Sequence, residues 1–228
     1  AKSLLDQVIG MAEGHAGKQN VDKVKGAISA NPGMAKAAGV GLAALLLGSK
    51  SGRKLAGNAA QLGGLALIGG LAYQAYRNWQ GSQSGAGQAP QERLAPPPAD
   101  TPFATGRDDQ QRATTFLVAM ISAAKADGHI DAEEQKRIYG QLNEQVVGSE
   151  AKAFLMEEMM APLDISRVVN LSTSQERAVE IYAASCMAIH LDHPDERAYL
   201  DRLASALRLE PSLTERIERA VAEERAAG

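Results

Sequence analysis

The feature that most restricts the fold of this chain is a run of twenty-two residues without a charged side chain, residues 55–76. Its length matches the hydrocarbon thickness of a bilayer, and Tyr73, Tyr76, Arg77 and Trp79 at its end are typical of an interfacial anchor. The run is rich in Gly and Ala, which allow helices in lipid to approach closely and to self-associate. We therefore predict a transmembrane helix at residues 55–76, with a soluble helical hairpin as the alternative.

A second apolar stretch, residues 34–48, comes before this run and is too short to span a bilayer comfortably. Between the two stretches lies a basic turn with Lys50, Arg53 and Lys54. Either a single span or a hairpin that includes the first stretch keeps this turn in the cytoplasm, because cations favour the cytoplasmic side. The sequence thus predicts that the C-terminal region lies across the membrane from the cytoplasm, which is the periplasmic side of a bacterial inner membrane.

Composition divides the chain into four regions. Residues 1–33 are predicted to form a short amphipathic helix and a loop, and residues 34–79 form the Gly/Ala-rich hydrophobic region. Residues 80–107, rich in Pro, Gly and Ser, lack apolar periodicity and are predicted to be a linker. We expect residues 108–228 to fold independently beyond it.

Residues 108–228 carry five or six helical patterns of apolar residues. No segment alternates apolar and polar residues with a period of two, so strands are not expected. The predicted fold class is all-α, with membrane-associated N-terminal helices followed by a helical bundle. The N-caps expected in this region are Asp164, Ser172 and Ser212.

Residues 127–134 hold four carboxylates between two helical patterns. Asp131 is a good N-cap, and Glu134 three residues later completes an acidic variant of the capping box. The alternative is that Asp127, Asp131 and Glu134 converge on a divalent cation, calcium or magnesium, which prefers several oxygen ligands. An EF-hand does not fit, because an alanine and a lysine occupy its first and third loop positions.

A second, degenerate acidic corner lies about sixty residues further on, at residues 184–196. An Ala-rich helical pattern again leads to an Asp, here Asp192, and the acid pair Asp195 and Glu196 opens the next helix. Pro194 stands where the first corner has its glycine-bearing turn. The candidate cation ligands therefore extend to Asp192 and Asp195.

The pairing of an ADGxID-type corner with an HLDHPDE corner resembles the tellurite-resistance TerB-like superfamily, over roughly residues 108–225. The Gly/Ala-rich apolar region joined to such a domain resembles the DUF533 family of bacterial inner-membrane proteins. The resemblance implies an all-α TerB-like domain with clustered acids, membrane attachment, and no established enzymatic activity.

Charge separates the two halves of the chain and excludes one class of partner. Residues 1–107 have eleven Lys and Arg and five Asp and Glu, a net +6, whereas residues 108–228 have thirteen and twenty-two, a net −9. Phosphate binding is opposed by the acidic half, and three Phe with one Trp are too few for a base-stacking platform. Nucleic acid is therefore not an expected partner.

The sequence contains no phosphate-binding glycine loop, nucleophile elbow or HExxH motif. We expect a membrane-tethered, non-enzymatic sensing or scaffolding protein, active in envelope or metal stress, whose acidic helical region binds a divalent cation or a protein partner. The alternative is an enzyme that uses paired carboxylates at the acidic corner for acid–base chemistry.

Two further groups of residues have an ordinary and a functional explanation. Cys186, His190 and His193 are zinc-ligand residue types at helical spacing, but a buried thiol is commonly inert. Met156, Met159 and Met160 form a methionine cluster, which we expect to pack a helix rather than to line a partner groove.

Overall fold

The computed structural model describes residues 64–83, 94–106, 109–126, 149–189, 191 and 193–227. These residues contain helices and connecting segments and no strand, which confirms the predicted all-α class. The helices are α1 Gly64–Gln83, α2 Asp109–Ala124, α3 Ser149–Met160, α4 Ile165–Val169, α5 Gln175–Ala188, α6 Pro194–Ala206 and α7 Pro211–Ala227.

Helix α5 lies at the centre of the fold. Every residue from 178 to 188 is buried, and the helix packs against α1, α2, α6 and α7. A helix that is apolar on all sides is stable in water only when protein surrounds it. The other helices therefore form a shell around α5, with α4 against α2 and α6, and α3 against α2.

Local capping sets the starts of the short helices. Asp164 caps α4 as predicted, accepting a hydrogen bond from the backbone N–H of Ser166 at 2.9 Å. The prediction for α5 was wrong by two residues, because Ser174 rather than Ser172 accepts from the backbone N–H of Arg177. The prediction for α7 was also wrong, because that helix already begins at Pro211.

Helix α1 contains residues 64–76 of the predicted transmembrane helix, and it is part of the core. Leu67, Ile68 and Leu71 are fully buried, and α1 packs against α5 and α7. In the part of the chain that the structure describes, no helix is long and apolar enough to cross a membrane. Residues 55–63 lie outside the described residues, as do the predicted regions 1–33 and 34–48.

The aromatic residues at the end of the uncharged run contact other parts of the same chain. Tyr73 and Tyr76 pack on Phe103, with ring centroids 5.9 and 5.6 Å apart. Trp79 donates a hydrogen bond from Nε1 to Ser212 Oγ at 3.2 Å. These residues join elements of one bundle, so the interpretation as an interfacial anchor does not describe α1. The orientation derived from the basic turn at residues 50–54 lies outside the described residues and stays a prediction.

Part of the predicted linker is packed against α1. Residues 80–83 continue this helix, and residues 94–106, which we call the strap, place the buried side chain of Phe103 in the core. The remaining linker residues, 84–93 and 107, lie outside the described residues. The strap and α1 share a core with the later helices, and the expectation that residues 108–228 fold without them stays a prediction.

Two glycines let the strap lie directly on α1. A Cβ atom at Gly69 would stand 2.6 Å from the carbonyl oxygen of Phe103, and one at Gly70 would stand 2.8 Å from that of Ala95. The sequence predicted close approach at these glycines between membrane helices. The structure shows the close approach, with the strap backbone as the neighbour.

Replacing Gly69 with alanine tests this contact. The added methyl group would force the strap backbone away, so we expect the unfolding free energy to fall by about 1–3 kcal/mol. Gly81→Ala is the matched control on the same helix, because nothing lies within 4 Å of its added Cβ. That change should stabilise the helix by roughly 0.5–1 kcal/mol. Chemical denaturation of the full-length protein measures both, and equal effects of the two changes would contradict the close approach.

Candidate functional site

Most of the cation ligands predicted from the sequence lie outside the described residues. This holds for Asp127, Asp131 and Glu134 of the first corner and for Asp192 of the second. Cation binding at the first corner therefore stays a prediction. Only Asp195 among the predicted ligands has a described position, in the first turn of α6.

The second corner has the geometry of a helix start. His193 is the N-cap of α6, and its Nδ1 accepts a hydrogen bond from the backbone N–H of Asp195 at 3.3 Å. The Glu196 side chain accepts in return from the backbone N–H of His193, which completes a capping box with Pro194 in the first turn. Asp195 is exposed, with a carboxylate oxygen 3.5 Å from His193 Nδ1.

Within the described residues, no group of three His, Cys, Asp or Glu side chains is placed to hold a metal ion. Cys186 is buried in α5, and burial raises the pKa of its thiol, which favours the protonated form over the thiolate that binds metals. Of the two histidines considered as zinc ligands beside Cys186, His193 uses its Nδ1 to accept the capping hydrogen bond of α6, and His190 lies outside the described residues.

A buried arginine joins α2, α5 and the strap. The guanidinium of Arg112, 2% exposed, donates to the carbonyl oxygens of Phe103, at 2.8 Å, and Ala104 and to the carboxylate of Glu180. Arg177 donates to the other oxygen of Glu180 at 2.8 Å. Burial nevertheless raises the pKa of Glu180 to about 7, against the opposing attraction of the two arginines.

A second charged group fixes the end of α3. Lys125 Nζ donates to the carbonyl oxygens of Glu158 and Ala161, both at 2.7 Å, where the helix ends and its last carbonyls lack helical partners. Arg167 forms an ion pair with the buried carboxylate of Glu158. Burial lowers the pKa of Lys125 and raises the pKa of Glu158. The pair therefore attaches α3 to α2 and α4.

A third group ties α5, α6 and α7 together. Tyr182 donates from its hydroxyl group to Glu218 at 2.7 Å, and Arg197 donates to both carboxylate oxygens of Glu218 at 2.9 Å. Burial favours the neutral form of Glu218, but the hydrogen bonds from Arg197 and Tyr182 outweigh it, and the pKa is lowered. Arg225 completes the group by donating to the last carbonyls of α5, at Cys186 and Ile189.

The sequence interpretation missed these groups, although one signal was present. Glu180 interrupts a run of apolar residues, and a charged residue in such a run indicates a buried partner. The helical pattern had placed only one face of α5 inward. Each of these carboxylates already accepts hydrogen bonds from arginines, so the groups serve to join helices, and none of them presents a carboxylate for acid–base chemistry on a substrate.

The described residues leave one compact apolar surface exposed, at the end of α3. Met156 is 46% exposed, Met160 is 84% exposed and Leu163 is 38% exposed. We call these three residues the methionine patch. The expectation that the methionines pack inward holds for Met159, which is 8% exposed, and is wrong for the other two.

These observations define the class of protein, an all-helical bundle with internal arginine–carboxylate pairs and an exposed apolar surface on one helix. The chain belongs to the DUF533 family, described as "Protein of unknown function (DUF533)", whose sequence profile matches residues 32–221. The resemblance to this family is thereby confirmed; its TerB-like and inner-membrane aspects stay predictions.

A protein of Yersinia enterocolitica, described as an uncharacterized protein in the ampR 5′ region, is similar to this chain. The two are 30% identical over 115 residues, which cover 50% of this chain and 83% of that protein. No solved structure matches the chain.

The raised pKa of Glu180 generates a prediction about pH. Because its folded pKa of about 7 lies above the ordinary value of 4.5, its contribution to stability is complete below pH 4.5 and is lost as the pH rises through 7. A shift of this size corresponds to about 3 kcal/mol. We expect Glu180→Gln, whose side chain does not titrate, to remove this pH dependence.

Chemical denaturation at about pH 5 and about pH 7.5 measures the difference. Glu215→Gln, at an exposed position on α7, is the control and should keep the wild-type pH dependence. An unchanged difference in Glu180→Gln would show that the carboxylate is ionised over this whole range.

Proposed function

We propose that the protein is a non-enzymatic scaffolding protein, tethered to the inner membrane, whose helical bundle binds a protein partner through the methionine patch. One observation carries the proposal. Of the four large hydrophobic side chains exposed in the described residues, three come from residues 156–163, at and just beyond the end of α3, and the fourth is Leu191. An exposed apolar cluster of this kind is typical of an interaction site.

The chemistry of the patch suits a binding surface. Methionine is unbranched and polarisable, so it adapts to partner side chains of different shapes. The inner face of the same helix is held by Lys125 and by the ion pair of Glu158 with Arg167. The patch is therefore presented on a helix whose position is fixed, which reduces the entropy that binding must remove.

A cross-link between the methionine patch and another protein would support this proposal. We expect a photoactivatable amino acid in place of Met160 to give one discrete adduct with another protein in cells. The same amino acid in place of Arg219, an exposed residue of α7, should give none. Adducts from both positions, or no adduct from either, would contradict a partner site on α3.

Membrane tethering is the second part of the proposal, and the sequence supports it. Residues 34–48 are apolar apart from one lysine, residues 50–54 are basic, and residues 55–63 are uncharged. The bundle that the structure describes already buries the apolar residues of α1, so we assign the tether to the residues before α1.

Fractionation of cells tests the tether. We expect the full-length protein to stay with the membranes after a carbonate wash. A chain that begins at residue 64 keeps α1 and should appear in the supernatant. Recovery of the full-length protein without detergent in the soluble fraction would rule out the tether and leave the partner site unaffected.

Divalent-cation binding by Asp127, Asp131 and Glu134 is a separate hypothesis. It is supported by the density of carboxylates in residues 127–134. The alternative role for these acids is helix capping, which His193 and Glu196 perform at the second corner.

A further inference from the structure

The methionine patch has the dimensions of a helix-binding site. Met156 and Met160 are one helical turn apart, about 6 Å along the axis, and Leu163 follows three residues beyond the end of the helix. Two turns of a partner helix, with apolar residues at i, i+3 or i+4, and i+7, cover such a length. The patch is too narrow to bind an extended sheet or a flat domain face by itself.

The charges around the patch specify the polar side of that helix. Glu157 is exposed on the same helix, between the two methionines in sequence, and Asp164 is half-buried next to Leu163. The nearest described cations are already engaged, Lys125 with two carbonyl oxygens and Arg167 with Glu158. At its Met160 end the border of the patch is therefore acidic among the described side chains, and Lys152 stands one helical turn before Met156 at the other end.

A second copy of the protein fits this border poorly. In a symmetric dimer the same patch faces itself, so Glu157 of one subunit would approach an acidic border on the other. Charge complementarity favours a basic partner.

We infer that the methionine patch binds an amphipathic helix whose apolar face carries the contact and whose flanking residues are Lys or Arg. This inference rests on the proposed function and adds the chemistry of the partner. The methionines and Leu163 bury the apolar face of the helix, and Glu157 and Asp164 select its basic border.

Two synthetic helical peptides test the inference on the full-length protein. Both carry leucines at i, i+3, i+4 and i+7, and their polar positions are all lysine in one and all glutamate in the other. Binding is measured by fluorescence anisotropy, and the location by the rate of methionine oxidation with peroxide. Met159 and Met187 are internal controls, because they are buried.

We expect the lysine peptide to bind and to slow the oxidation of Met156 and Met160, and the glutamate peptide to do neither. Glu157→Lys should weaken binding of the lysine peptide at least about tenfold and allow the glutamate peptide to bind. Glu215→Lys, the same change at an exposed position of α7, controls for the overall charge and should leave both affinities nearly unchanged.

Equal protection by the two peptides, or none by either, would overturn the inference. Protection that appears without peptide as the protein concentration rises would replace the basic partner with a second copy. If Met156 and Met160 oxidise no faster than Met159 in the free protein, the patch is covered, and the proposed function fails as well. A discrete cross-link from position 160 without peptide binding contradicts the inference alone.

Discussion

The described fold depends most on the buried guanidinium group of Arg112. A charge removed from water is tolerated when protein groups replace the water. Here the two terminal nitrogens of Arg112 donate to Glu180 on α5 and to the strap carbonyls of Phe103 and Ala104, whereas its Nε has no hydrogen-bond partner among the described residues. The strap is held where it crosses α1, and Gly69 gives its backbone the space to lie there. One side chain therefore connects the apolar N-terminal helix, the strap and the central helix. Loss of its carboxylate partner would leave a buried cation, which is far more costly than loss of a surface pair.

The fold class and the starts of α4 and α6 could be predicted from the sequence, because they depend on local patterns. The placement of α1 could not. A largely apolar stretch without charge, such as residues 64–76 of α1, is equally suited to lipid and to the interior of a bundle. The deciding factor is whether the rest of the chain offers an apolar surface, and α5 provides one, with every residue from 178 to 188 buried. Such a surface has no periodic signal, because a helix buried on all sides does not alternate between polar and apolar faces.

The candidate sites likewise differ in whether local spacing in the sequence predicts them. The capping box of His193 and Glu196 involves residues three apart, so spacing alone indicates it. The pairing of Arg112 with Glu180 joins residues sixty-eight apart, and no local rule predicts it. The methionine patch was misjudged for a related reason. Composition predicts that methionines fill a core, but which side of α3 is covered depends on Lys125 and Arg167, which hold its inner face through polar contacts.

The size of the patch connects the two parts of the proposed function. Burying what remains exposed of Met156, Met160 and Leu163 contributes about 3–5 kcal/mol at roughly 1.5–3 kcal/mol for each fully buried side chain. A dissociation constant of about 1 mM already requires about 4 kcal/mol, and the ordering of both partners must also be offset. The patch therefore binds weakly by itself, even with help from Glu157. A membrane tether changes this balance, since two proteins held on one membrane meet at an effective concentration that can reach about the millimolar range. In the proposed function the tether therefore strengthens binding at a weak, adaptable surface without being required for it.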